Sequence, residues 1–95
     1  MKKISLKKLL KLNNPIIYDI RDKNEFINKH IDNSINVNFN TIYITYSTFL
    51  NKFDTYYIVC EKGYRSKQIV KKLFKEGYNV IYVKKGLKNL NKYIS

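Results

Sequence analysis

The chain holds one cysteine, Cys60, and it stands in the stretch Val59-Cys60-Glu61-Lys62-Gly63-Tyr64-Arg65-Ser66. A thiolate is a nucleophile, and a thiol is activated when hydrogen-bond donors and positive charge surround the sulfur. This spacing can supply both. If Cys60 closes a strand and Ser66 lies at the start of a helix, a tight loop between them turns successive backbone N–H groups inward. Gly63 permits the backbone geometry that a side chain would forbid. Those N–H groups, the helix N-terminus and the Arg65 guanidinium all favour an anion at the centre of the loop, and they favour the thiolate form of Cys60. A lone cysteine also excludes an internal disulfide, a Cys-x-x-Cys redox pair and a multi-cysteine zinc site. The competing reading is a small buried residue at a strand end. Gly63, Arg65 and the strand-to-helix setting favour the reactive one.

The elements that must position this loop follow from hydrophobic pattern. The run Thr55-Tyr56-Tyr57-Ile58-Val59 is short, β-rich and continuous in hydrophobicity, so it reads as a buried strand delivering Cys60 at its carboxyl end. From Arg65 or Ser66 to Glu76 the pattern is helical. Ile69, Val70, Leu73 and Phe74 fall in one arc and Lys67, Lys71, Lys72 and Lys75 in the other, with Gly77 as the stop. Further strands are expected over 15–19, 34–37 and 79–83. Helices are expected over about 6–12 behind Ser5, from Asp22 onward with Glu25 completing an acid-x-x-Glu cap, over 41–53, and over 87–93. Strands alternating with helices imply an α/β fold with a mainly parallel sheet of about five short strands, helices on both faces. Ligands in such sheets bind at the carboxyl ends of the strands, where Cys60 is expected.

Length and charge bound the function. Ninety-five residues, 44% hydrophobic and 15% aromatic, make one modest core and are too apolar for a disordered basic tail. The formal net charge is +12, yet residues 12–61 carry more acids than bases. The positive charge is confined to the two ends of the chain, and its second block begins at Lys62, immediately after the cysteine. That placement predicts enrichment of small anions near Cys60. Lysines at 7, 8 and 11 interrupt any apolar leader, and no run of about 18 apolar residues occurs, so a soluble, cytoplasmic protein is expected. Only two of the 19 basic residues are arginines, and no regular basic-aromatic alternation occurs. Nucleic-acid binding and membrane association are therefore not expected.

The chain carries Asp19-Ile20-Arg21, Glu25-Phe26, His30-Ile31 and Cys60-x-x-Gly63-x-Arg65-Ser66, in that order. This ordered set, covering nearly the whole chain, resembles the single-domain rhodanese family. The chain departs from the family pattern in three places: Lys29 stands for the Gly before His, Asn33-Ser34 for the Gly-Ala after it, and Lys85-Gly86 with Leu90 for a late Gly-Gly followed by Trp. The resemblance implies a rhodanese-like three-layer fold, with residues 1–95 forming a single domain. It implies a sulfurtransferase in which Cys60 takes a sulfane sulfur from thiosulfate or a persulfide and passes it to a thiol or cyanide, with a sulfur-relay protein as a further partner. Glu61, Lys62, Gly63, Tyr64, Arg65 and Ser66 would form the loop that holds the persulfide, and Lys62 would help attract an anionic donor. Asp19 and Arg21 would support the strand end beside it. No metal, no organic cofactor and a monomeric state are expected.

Two alternatives stay in view. Phosphatases and arsenate-type enzymes of related architecture use a Cys-x5-Arg loop, whereas four residues separate Cys60 from Arg65. The shorter loop makes a tighter cradle, better matched to one sulfur than to a tetrahedral oxyanion. A non-catalytic rhodanese-like binding module is the other. His30, the sole histidine, is read as a hydrogen-bonded structural residue rather than a general base, and Glu25 as a helix cap.

Overall fold

A computed structural model describes residues 1–94. Its elements are β1 (Lys2–Ile4), α1 (Leu6–Leu9), β2 (Ile16–Asp19), α2 (Lys23–Asn28), β3 (Ile35–Asn36), α3 (Phe39–Phe49), β4 (Thr55–Val59), α4 (Tyr64–Lys75), β5 (Asn79–Val83) and α5 (Leu90–Tyr93). All five strands are parallel, in the order β1-β5-β4-β2-β3. The expected α/β architecture, a parallel sheet with helices on both faces, is the one observed.

Alternation along the inner strands explains the two covered faces. Successive residues of a strand point to opposite sides. Tyr18 and Ile20, Tyr56, Ile58 and Cys60, and Val80 and Tyr82 join one buried cluster with Ile42 of α3 and Ile69, Val70 and Leu73 of α4. Ile17, Val59 and Val83 join the other, with Leu6 and Leu9 of α1, Leu87 and Leu90. Both faces need apolar residues, so β4 reads as continuously hydrophobic. The Tyr18 hydroxyl donates to the Phe49 carbonyl at 2.8 Å and ties β2 to the end of α3. Burial, and then the neighbouring Tyr56, push the Tyr18 phenol above its ordinary pKa. Helix α4 ends as expected, with Gly77 N–H donating to Phe74 O and Tyr78 N–H to Leu73 O.

Several boundaries differ from the expectation, each for a local reason. Strand β1 was not expected, because Lys2-Lys3-Ile4 carries no hydrophobic run. It forms only by pairing with β5, and lysines suit an exposed edge. The expected helix over 41–53 runs instead from Phe39, capped by Asn38, whose side chain accepts from Thr41 N–H, to Phe49. It is bent at Thr45, whose Oγ1 donates to Thr41 O at 2.6 Å, a bond that competes with the helical ladder. Phe53 fits the helical period but lies in the following loop, 92% exposed. The first helix, expected over 6–12, closes at Leu9, and the closing helix, expected over 87–93, begins only at Leu90. Helix α4 starts at Tyr64, slightly before the expected Arg65. Strands β2 and β3 are shorter than expected at their ends. No helix among the described residues is long and apolar enough to cross a membrane.

Candidate active site

Strand β4 ends at Val59 and α4 begins at Tyr64, leaving Cys60 to Gly63 as the connecting loop. Cys60 is 5% exposed. Its Sγ receives two backbone hydrogen bonds, from Gly63 N–H at 3.2 Å and from Ser66 N–H at 3.3 Å, and lies 3.2 Å from Ser66 Oγ. Two of the inward N–H groups expected of this loop therefore reach the sulfur. Ser66 is fully buried, and its hydroxyl also lies 3.2 Å from the Gly63 carbonyl, to which it can donate. With Cys60 as a thiol, a relay runs from S–H to Ser66 Oγ and from Ser66 O–H to Gly63 O. With a thiolate, the same hydroxyl can turn and become a third donor to sulfur. Ser66→Ala should slow alkylation of Cys60 by iodoacetamide at pH 7 about tenfold, the worth of one hydrogen bond to a charged acceptor. An unchanged rate would mean that the backbone donors alone hold the sulfur.

The loop keeps its shape because a second loop is pressed against it from below. Gly63 has φ +92°, and a Cβ there would stand 2.7 Å from the Lys84 carbonyl oxygen. Gly86 has φ +64°, and a Cβ there would stand 2.5 Å from Cys60 O and closer still to Glu61 O. The two loops are sewn together by Leu87 N–H to Cys60 O at 2.9 Å and Lys88 N–H to Glu61 O at 3.1 Å. Sequence reasoning gave Gly86 no role in the site. Its signal was a single glycine after Lys84-Lys85, at the place of the late Gly-Gly of the family pattern, and the constraint comes from a backbone distant in sequence.

Asp19 and Arg21 sit beside the loop at the end of β2. The fully buried Asp19 carboxylate accepts from Arg21 N–H at 3.0 Å, Nε at 3.0 Å and Nη2 at 2.8 Å, and Nη2 also donates to Lys29 O. Burial alone would lower the Arg21 pKa. The hydrogen bonds and charge of Asp19, with Glu61 and Glu25 adding to them, outweigh it and raise the value above that of a free guanidinium. Asn36 Nδ2 donates to the carbonyls of Asp19 and Arg21, fixing the same strand end from β3.

Above Cys60 lies a cavity of about 330 Å³, lined by Arg21, Asp22, Glu25, Glu61, Lys62, Tyr64 and Arg65 together with Ile20 and the cysteine. Arg65 also stands 5.5 Å from the centre of the Phe39 ring. One expectation is corrected at this cavity. Asp22 occupies the N-cap of α2 but makes no side-chain cap bond, and Glu25, expected to complete that cap, lines the cavity. The side chains that line the cavity are mixed in charge. His30 lies away from the cavity, its ring stacked 3.9 Å from that of Phe26 and its Nδ1 2.7 Å from Phe26 O. No group of three or more His, Cys, Asp or Glu side chains among the described residues is placed to hold a metal ion.

A family model described as "Rhodanese-like domain" matches residues 3–93. Among solved structures, a protein from Staphylococcus saprophyticus is 28% identical, with a TM-score of 0.86 over 99% of this chain and 97% of its own. A rhodanese-like domain protein from Staphylococcus aureus is 32% identical, with a TM-score of 0.80 over 93% of this chain and 89% of its own. A human single-domain sulfurtransferase shares the fold at 16% identity, with a TM-score of 0.82 over 100% of this chain and 99% of its own. No curated protein matches the sequence.

Proposed function

The chain belongs to the rhodanese-like family, and from that premise we propose that it is a sulfurtransferase with Cys60 as its sulfur carrier. The observation that carries this reading is the set of donors from Gly63 and Ser66 converging on one sulfur, at the floor of a cavity and at the carboxyl end of a central strand. Cys60 thiolate attacks the outer sulfur of thiosulfate or of a persulfide. A bond forms from Sγ to that sulfur, the donor's own sulfur–sulfur bond breaks, and the electron pair leaves with sulfite or with the donor thiolate. The product is a Cys60 persulfide. A thiophilic acceptor such as cyanide or a thiol then attacks the outer sulfur and returns the Cys60 thiolate. No step requires a second cysteine, which suits a chain that has one.

Donors that favour a thiolate also stabilise the anionic persulfide, so the loop serves both ends of the cycle. Asp19 and Arg21 hold the strand end on which the loop rests and touch no reacting atom. Arg65, at the cavity wall, orients an anionic part of the donor. With thiosulfate and cyanide the protein should release thiocyanate, and Cys60→Ser should release none. Hydrolysis of phosphate esters without thiocyanate formation would overturn the reading in favour of phosphatase chemistry.

A further inference from the structure

The walls of the Cys60 cavity divide by charge. The β2–α2 side contributes Asp22 and Glu25, and neither carboxylate has a hydrogen bond or ion pair among the described residues. The cysteine loop and the first turn of α4 contribute Lys62 and Arg65, which are likewise free of ion pairs among the described residues. Of the remaining charged residues at the wall, Arg21 is already matched by Asp19, and Glu61 lies 4.0 Å from its outer nitrogen. In a chain of formal charge +12 the wall around the one thiol thus holds three carboxylates and three cations, and two of each, Asp22 and Glu25 against Lys62 and Arg65, are uncommitted. That lining favours a small dianion less, since its charge would face carboxylates as well as cations. It suits a donor that brings a cation and an anion together.

We propose that the donor for Cys60 is a small zwitterionic persulfide, an α-amino acid bearing –S–SH, with its ammonium on Glu25 and Asp22 and its carboxylate on Arg65 and Lys62. The proposal rests on the sulfur-carrier reading of Cys60 and specifies its donor class. Cys60 thiolate attacks the terminal sulfur of R–S–SH. The Sγ–S bond forms, the donor S–S bond breaks, and the electron pair leaves on R–S⁻ while the proton stays on the transferred sulfur as Cys60–S–SH. No oxidant or reductant is consumed. Glu25 acts here by positioning the donor, and this explains why the acid at the expected capping position leaves the helix uncapped.

The test follows the gain of one sulfur on the intact protein over time, with L-cysteine persulfide, the persulfide of 3-mercaptopropionic acid, which lacks the ammonium, and thiosulfate. L-cysteine persulfide should load Cys60 about tenfold faster than the deaminated analogue, the worth of one charged hydrogen bond. Glu25→Gln should bring the ratio of the two persulfides close to one, and added salt should narrow it. Equal loading by the two persulfides, or a ratio that Glu25→Gln leaves intact, would overturn the donor assignment while the carrier reading stands. Absence of loading from any of the three donors would remove both.

Discussion

Gly86→Ala is expected to lose about 2–4 kcal/mol of stability, from a side chain held in left-handed backbone and from overpacking against a carbonyl pair. Neither cost can be relieved cheaply. The atoms that the new Cβ would meet are the backbone oxygens of Cys60 and Glu61, and they are held in place by Leu87 N–H and Lys88 N–H. The strain must therefore be taken up by moving the cysteine loop itself. A displacement of about 1 Å at a reacting group costs on the order of a hundredfold in rate, so persulfide formation should fall by that order even under conditions where the variant remains folded. Urea unfolding measures the first effect, and sulfur loading at low denaturant measures the second. A variant that is destabilised but loads at the parental rate would show that the lower loop supports the fold without setting the sulfur.

Asp19→Ala is the second large effect. Its carboxylate is the counterion of a guanidinium only 9% exposed, and it takes hydrogen bonds from Arg21 N–H, Nε and Nη2. Removing one partner of such a pair leaves a buried charge without compensation, which costs about 3–5 kcal/mol. In a domain whose whole stability is on the order of 5–10 kcal/mol, that is a large share. The Asp19→Ala, Arg21→Met double variant removes the orphaned charge as well and should recover part of the loss. Urea midpoints of the parent, the two single variants and the double variant give the coupling directly. An Asp19→Ala protein as stable as the parent would mean that Lys29 O and Glu61 suffice for Arg21.

These two predictions differ in how far the sequence announced them. Asp19-Ile20-Arg21 stood in the family pattern as support for the strand end, and the structure adds that the two side chains pair with each other. The Cys60 loop is legible as text, because a strand run, a glycine and a helical arc adjoin one another. Gly86 was not legible in this way. Its constraint is a carbonyl pair from β4's exit loop, brought against it only when β5 lies beside β4. The same holds for β1, whose Lys2-Lys3-Ile4 becomes a strand through its neighbour and not through its own composition. Glu25 shows the opposite failure. Its spacing from Asp22 satisfied a local capping rule, but its side chain lines the cavity. Phe53 likewise satisfied a helical period that the chain abandons at Leu50. Local patterns thus reported the elements and the reactive loop, while contacts between loops and the charge of the cavity wall emerged only from the assembled sheet.

The central claim is that Cys60 carries sulfur, and the mass of the intact protein after brief exposure to a sulfane-sulfur donor tests it most directly. The parent protein should gain one sulfur atom, reversed by dithiothreitol and absent in Cys60→Ser. A parent protein whose mass is unchanged by thiosulfate and persulfides alike, or a Cys60→Ser variant that still gains the sulfur, would contradict it.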